Sequence, residues 1–151
     1  LLSEYPVVVA DKRKYYIESN RSHYNNAHHS DGLDAAEQII AEKYPEYSAA
    51  FTKVCNRTWA HMFNMFVMRR DLFDQYCEWM FSILEEIEHR VDISDYDIYE
   101  ARIYGFVSEI LLDVWLEANN INYKEQNVSF MEPQNWIKKG GLFLKRKLFG
   151  R

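Results

Sequence analysis

The chain has 151 residues, 48% of them hydrophobic and 16% aromatic, which is material for one domain with a buried core. Charged residues make up 27% and the mean hydropathy is -0.45. No apolar run approaches the roughly 20 residues that a membrane-spanning helix requires, so a bilayer-crossing protein is excluded from the expectations.

The net charge of -5 hides an asymmetry. Residues 138–151 carry Lys138, Lys139, Lys145, Arg146, Lys147 and Arg151 with no acid. Removing those six from the 18 basic residues leaves 12 against 23 acidic ones, a net of -11. A body that acidic is a poor general binder of nucleic acid. Cys55 and Cys77 show no CxxC spacing, which argues for neither a disulfide framework nor a zinc site and fits a reducing compartment. Leu1 stands where a start Met would, and LLSEYPVVVA is too short and acidic for a signal peptide. The expectation is a cytoplasmic chain that begins inside a longer protein.

Residues 5–10 (YPVVVA) predict a short buried strand. From Asp11 to Ser30 the sequence is polar and aromatic without a period, which predicts a long, substrate-facing loop. His23 and Tyr24 lie in it, and its rings suit stacking on sugars, although many surface loops rich in Tyr and Asn bind nothing. Leu33, Ala36, Ile40 and Tyr44 then recur at helical spacing after a Ser30/Asp31 start. Pro45 ends that helix before a second one with Tyr47, Phe51 and Val54. Residues 61–68 (HMFNMFVM) predict a buried strand on which the polar His61 and Asn64 face opposite sides. His61 there serves structure or a ligand, and Asn64 must satisfy both donor and acceptor, from backbone or from a sugar hydroxyl.

Phe73, Tyr76, Cys77, Met80, Leu84, Ile87 and Val91 step by three and four, marking an amphipathic helix of about five turns. Asp97 with Glu100 has the form of a capping box opening a further helix to about Ala118, apolar nearly all round and therefore deeply buried. Its single polar stripe is Arg102, Glu109 and Asp113. Arg102 and Glu109 need partners there, either in a structural ion-pair network or in a cleft. Asp95-Tyr96-Asp97 has the D-x-D form that holds divalent metals between nucleotide phosphates, but aspartates before a helix more often cap it. After Asn120 a loop and a short strand lead to the basic tail, which suits either solvent or an anionic membrane surface.

The runs YYIESNRSHYNNAHH (15–29), IIAEKYPEYSAAFTKV (39–54), HMFNMFVMRRDLFDQYCEWMFSILEEIE (61–88) and YDIYEARIYGFVSEILLDVWL (96–116) closely resemble the C-terminal portion of DUF4422, an uncharacterised-domain family of bacterial capsular and exopolysaccharide glycosyltransferases. The resemblance covers most of residues 5–120 and not the basic tail. It implies an α/β fold, the helix-rich C-terminal portion of a GT-A-like glycosyltransferase with a few short strands. Residues 1–120 would form the acceptor-side part and 121–151 a C-terminal extension. The implied activity is transfer of a hexose, galactose for example, from a UDP-sugar to a lipid-linked glycan at the inner membrane face, with residues 138–151 as a peripheral membrane contact. Mn2+ or Mg2+ would be held mainly by a preceding N-terminal nucleotide-binding portion. The same resemblance points to Asp97 as the general base or acceptor-positioning residue, and raises Asn64 and Arg102 as substrate-binding residues beside His61, His23, Tyr24 and Glu109. The alternative function is a non-catalytic helical interaction module of a polysaccharide-assembly complex.

Overall fold

The structure, a computed structural model, describes residues 2–129 and 131. It is a helix-rich α/β fold with a few short strands. Strand β1 (Val7–Ala10) is buried along its whole length, as its β-branched composition requires. It lies between two strands from much later in the chain. β4 (Phe66–Met68) runs antiparallel to it, pairing Val7 with Met68 and Val9 with Phe66. β5 (Tyr123–Gln126) runs parallel, pairing Val7 with Tyr123 and Ala10 with Gln126. β2 (Arg13–Lys14) and β3 (Trp59–Ala60) form a separate antiparallel ribbon, with Arg13 opposite Ala60.

Among the described residues five α-helices supply the bulk: α1 (Asn20–Ala27), α2 (Asp31–Lys43), α3 (Ser48–Asn56), α4 (Arg70–Arg90) and α5 (Ile103–Ala118). α5 packs against α2, α3 and α4. Its Val107, Leu111, Leu112 and Val114 are wholly buried, in accord with its nearly continuous apolar surface. α4 presents Tyr76, Trp79, Ile83 and Ile87 to the core on one stripe, each burial contributing on the order of 2 kcal/mol. A 3₁₀ turn at Pro45–Tyr47 separates α2 from α3, and another at Glu100–Arg102 leads into α5.

Two segments depart from the sequence expectations. The stretch from Asp11 to Ser30, expected as one irregular loop, contains β2 and α1. Helix α1 has no apolar stripe, and polar bonds hold it instead. Ser19 Oγ caps it by accepting from the Ser22 N–H at 3.1 Å, and the buried Asn20 amide donates to the Val54 and Trp59 carbonyls, each at 2.8 Å. Residues 61–68, expected as one buried strand, are broken. Phe63 and Asn64 both take left-handed backbone angles, φ 84° and 48°, which interrupt the pleat between β3 and β4. His61 is consequently buried while Phe63, Met65 and Val67 are exposed.

The approach of α2 to the start of α5 depends on Gly32. A Cβ there would stand 2.5 Å from Ile103 Cγ1 and 3.1 Å from the Tyr24 hydroxyl, whereas one on Gly105 would meet nothing within 4 Å. Gly32→Ala is expected to cost about 1–3 kcal/mol by overpacking, and Gly105→Ala to stabilise by up to about 0.5 kcal/mol as a glycine in the first turn of α5 (Ile103–Ala118) replaced by alanine. Urea denaturation of the two variants checks the opposite signs.

Candidate functional site

A buried ionic cluster fixes the framework of the site. Asp113, on the polar stripe of α5, accepts from the His61 backbone N–H at 2.8 Å and from the His61 ring Nδ1 at 2.6 Å. Its Oδ2 also lies 2.6 Å from Arg57 Nη2, an ion pair rather than an aligned hydrogen bond. Arg57 stacks its guanidinium 3.5 Å over the Trp59 ring and bonds the Trp59 carbonyl at 2.9 Å. On the far side of His61, Nε2 faces Glu125 Oε1 at 3.3 Å, and Lys12 donates to that same oxygen at 2.6 Å. Burial alone would raise the Asp113 carboxyl. The His61 hydrogen bond and the Arg57 and His61 charges outweigh it and hold the group below its ordinary 3.8. Glu125 likewise sits below its ordinary value: its partial burial is overcome by the bonds from Lys12 and His61. A depression of about 270 Å³ opens beside the cluster, lined in part by Arg57, Asp113, Asn120 and Tyr123.

From this anchor the 61–65 loop crosses the first turns of α5. Asn64 donates its amide to the Gly105 carbonyl at 3.1 Å and to Ser108 Oγ at 2.8 Å. The Phe63 N–H bonds the Glu109 carboxylate. Burial pushes the Glu109 carboxyl above its ordinary 4.5, against the pull of that N–H and of the Arg102 and Arg13 charges. Arg102 lies 5.3 Å over the Phe106 ring, and Arg13 lies 5.4 Å over the Tyr15 ring. Tyr15 stacks on His23 at 3.9 Å, and His23 Nδ1 is 3.1 Å from Glu18. Burial raises the Tyr15 hydroxyl to about 12. The result is one polar surface built from β2, α1, the 61–65 loop and the first turns of α5. Its half-buried carboxylate, that of Glu109, feels the charges of Arg102 and Arg13, and a carboxylate raised by burial on a polar surface is suited to accepting a proton from a bound hydroxyl.

The residues expected from the sequence divide accordingly. Asn64, Arg102 and Glu109 come together, and His23 reaches the same surface through Tyr15. His61 is 1% exposed with both ring nitrogens engaged, so its contacts are those of a structural histidine rather than of a ligand in an open cleft. Tyr24 is buried against His28, with its hydroxyl facing Gly32. Asp97 is exposed, and its Oδ1 accepts from the Tyr99 and Glu100 N–H groups at 2.8 Å each, which is the capping role. Its Oδ2 has no hydrogen bond to another described residue. Among the described residues no group of three or more His, Cys, Asp or Glu is placed to hold a metal. Sequence reasoning missed Arg13, Glu18 and Arg57. Only Arg13, beside Tyr15 in an aromatic stretch, carried a sequence signal.

The chain matches the profile of the domain of unknown function DUF4422 over residues 1–120. It belongs to that family. Among solved structures, the DUF4422 chain is similar to the apo structure of WbbM, described as a bifunctional glycosyltransferase, with a TM-score of 0.76 and 29% identity. The match takes in 82% of this chain and 23% of WbbM. Comparison with curated protein sequences gives no match.

Removing the shared acid of the DUF4422 core gives the clearest stability test. Asp113→Asn leaves His61 and Arg57 without their buried counter-charge and is expected to cost about 3–5 kcal/mol near neutral pH. Because the native carboxyl titrates below 3.8, its contribution is complete above that value and is lost as the pH falls through the lower native value. Thermal melts of the two proteins are expected to stay apart from neutral pH down to about pH 4 and to converge only on acidification below 3.8.

Proposed function

We propose that this chain is the acceptor-side part of a glycosyltransferase of GT-A type. It would move a hexose, galactose for example, from a UDP-sugar to a lipid-linked glycan in capsular or exopolysaccharide synthesis. The observation that carries the reading is the likeness to a bifunctional glycosyltransferase over most of this chain, at an identity above what fold alone requires. The polar surface around Glu109 adds chemical support. The donor nucleotide and any Mn2+ or Mg2+ belong, on this reading, to a preceding portion of the polypeptide.

In such a transfer the acceptor hydroxyl oxygen forms a bond to the anomeric carbon, the bond to the nucleoside diphosphate breaks, and the hydroxyl proton passes to a carboxylate. Glu109 suits that last task better than Asp97. Asp97 spends one oxygen on capping the helix entry, whereas Glu109 is half-buried beside a polar loop, with its carboxyl raised toward working pH. Asn64, Arg102 and His23 would then orient the acceptor, with His61 and Tyr24 supporting them from beneath. Among the described residues no helix is long and apolar enough to cross a membrane. Contact with the inner membrane face through residues 138–151 is part of the proposal, and that segment lies outside the described residues.

A second reading, a non-catalytic interaction module, draws on Phe63, Met65 and Val67, which lie exposed along the loop and edge strand β4. The two readings separate in a transfer assay across UDP-sugars, using a polypeptide that carries both this chain and its nucleotide-binding portion. Glu109→Gln is expected to lower transfer by about 10²–10⁴-fold, while Asp97→Asn stays within about tenfold of the parent because asparagine also caps. The acidic limb of kcat/KM is expected above 4.5, since transfer needs Glu109 ionised. No turnover with any donor would leave the module reading standing, and an unimpaired Glu109→Gln would remove Glu109 from the chemistry.

A further inference from the structure

Lys12, Arg13 and Lys14 run straight into Tyr15, Tyr16 and Ile17. On a strand the side chains of Arg13 and Lys14 leave opposite faces, so the β2–β3 ribbon carries an exposed cation on either side. Neither has an ion pair with another described residue, whereas Lys12 is held by Glu125. The Tyr15 N–H still bonds the Thr58 carbonyl at 2.8 Å, and there the chain turns. The Ile17 N–H reaches back to the Tyr15 carbonyl at 2.5 Å across Tyr16, whose φ is 54°. That left-handed turn strains a residue with a Cβ, and it leaves Tyr16 84% and Ile17 63% exposed. The other exposed apolar side chains have different neighbours. Phe81 lies one helical turn from Glu78 and Glu85, Ile98 and Tyr99 follow Asp95 and Asp97, and no lysine or arginine falls between Phe63 and Val67. The cations nearest Phe73 are neutralised by Asp71 and Asp74. At Tyr16 and Ile17 the neighbours are cations that no described acid pairs.

We infer that the turn at residues 13–17 is a membrane anchor, with Tyr16 and Ile17 entering the headgroup layer of an anionic bilayer and Arg13 and Lys14 binding its phosphates. A tyrosine ring settles at the headgroup level, where its body is sheltered and its hydroxyl stays wet. The isoleucine reaches toward the acyl boundary, and the long cationic side chains extend to the anionic headgroups around it. The body of the protein is acidic, so its overall charge repels such a surface and the attraction has to be local. Side chains this exposed give a soluble peptide no walls to lie between, whereas a bilayer supplies its own apolar medium. The turn leads directly into the candidate surface: Arg13 lies 5.4 Å over the Tyr15 ring, and Tyr15 stacks on His23 at 3.9 Å. Anchoring here holds that surface at the bilayer. The inference deepens the transfer reading and rests on it for the lipid-linked acceptor, but not for lipid binding itself. It is also separate from any contact through residues 138–151.

Co-sedimentation of the 151-residue chain with lipid vesicles tests the anchor without requiring transfer. Vesicles of phosphatidylcholine mixed with phosphatidylglycerol are expected to carry the parent down, and vesicles of phosphatidylcholine alone to carry much less. Arg13→Gln and Lys14→Gln should each lower the partition coefficient about fivefold at low salt, and Ile17→Ser about tenfold. Tyr16→Gly removes the ring and relieves the positive φ. It should weaken binding about fivefold with a melting temperature no lower than the parent's, so poor folding cannot account for the loss. Arg70→Gln and Phe81→Ser, which remove an exposed cation and an exposed ring elsewhere, should change partition by less than about twofold. Absence of binding to the phosphatidylglycerol vesicles, or equal weakening by these two controls, overturns the anchor while leaving glycosyl transfer intact. Vesicle binding indifferent to all four substitutions in the turn overturns it as well and puts the lipid contact elsewhere in the chain. Binding that responds to the turn, in a polypeptide that transfers no sugar, retains the anchor and removes the transfer reading.

Discussion

The carboxylate of Asp113 is the constraint on which the arrangement rests. It is buried on the apolar helix α5, where an uncompensated charge would be prohibitive, and so it holds three positive or donor groups at once: the His61 N–H, the His61 ring and Arg57. Those three come from the end of α3 and the end of β3. One acid on α5 therefore fixes the point at which the chain leaves the ribbon. Everything the 61–65 loop does afterwards, including the Asn64 bonds to Gly105 and Ser108 and the Phe63 bond to Glu109, starts from that fixed point. The candidate surface is one loop's length away from the buried cluster that holds it.

How much of this was legible in the sequence depends on which force shapes each segment. α4 and α5 read clearly because apolar burial forms them, and burial leaves a periodic trace in the residues. α1 left none. It is anchored by the Asn20 amide on two carbonyls of distant segments, and a polar residue gives no hint of where its partners are. The 61–68 stretch misled for a different reason. Its composition is that of a buried strand, but two consecutive left-handed residues expose part of it, and nothing in Phe63 announces a positive φ.

The same distinction runs through the site. Arg102, Glu109 and Asp113 form the polar stripe that the sequence pattern marks on α5, and of the three Asp113 holds the buried ionic cluster, Glu109 is half-buried and Arg102 is exposed. Their partners did not stand out. Arg57, Glu125 and Arg13 are ordinary charged residues in sequence, and only the fold brings them to the stripe. Asp97 shows the converse. Its local pattern was read correctly as a cap, and the cap uses one of the two oxygens that a chemical role would need.

The position of β1 has a further consequence for how the molecule is assembled. This strand precedes both of its partners in the chain: it acquires one neighbour only after the middle of the chain is present and the other only after α5 has been completed. During synthesis its run of valines must wait for both of these strands, and the closure of the sheet is a long-range event of the kind that slows folding. β5 also falls after residue 120, where the family's shared region ends. A segment outside the common boundary thus supplies the parallel half of the sheet's hydrogen bonding, so a truncation drawn at that boundary would leave β1 with a bare flank.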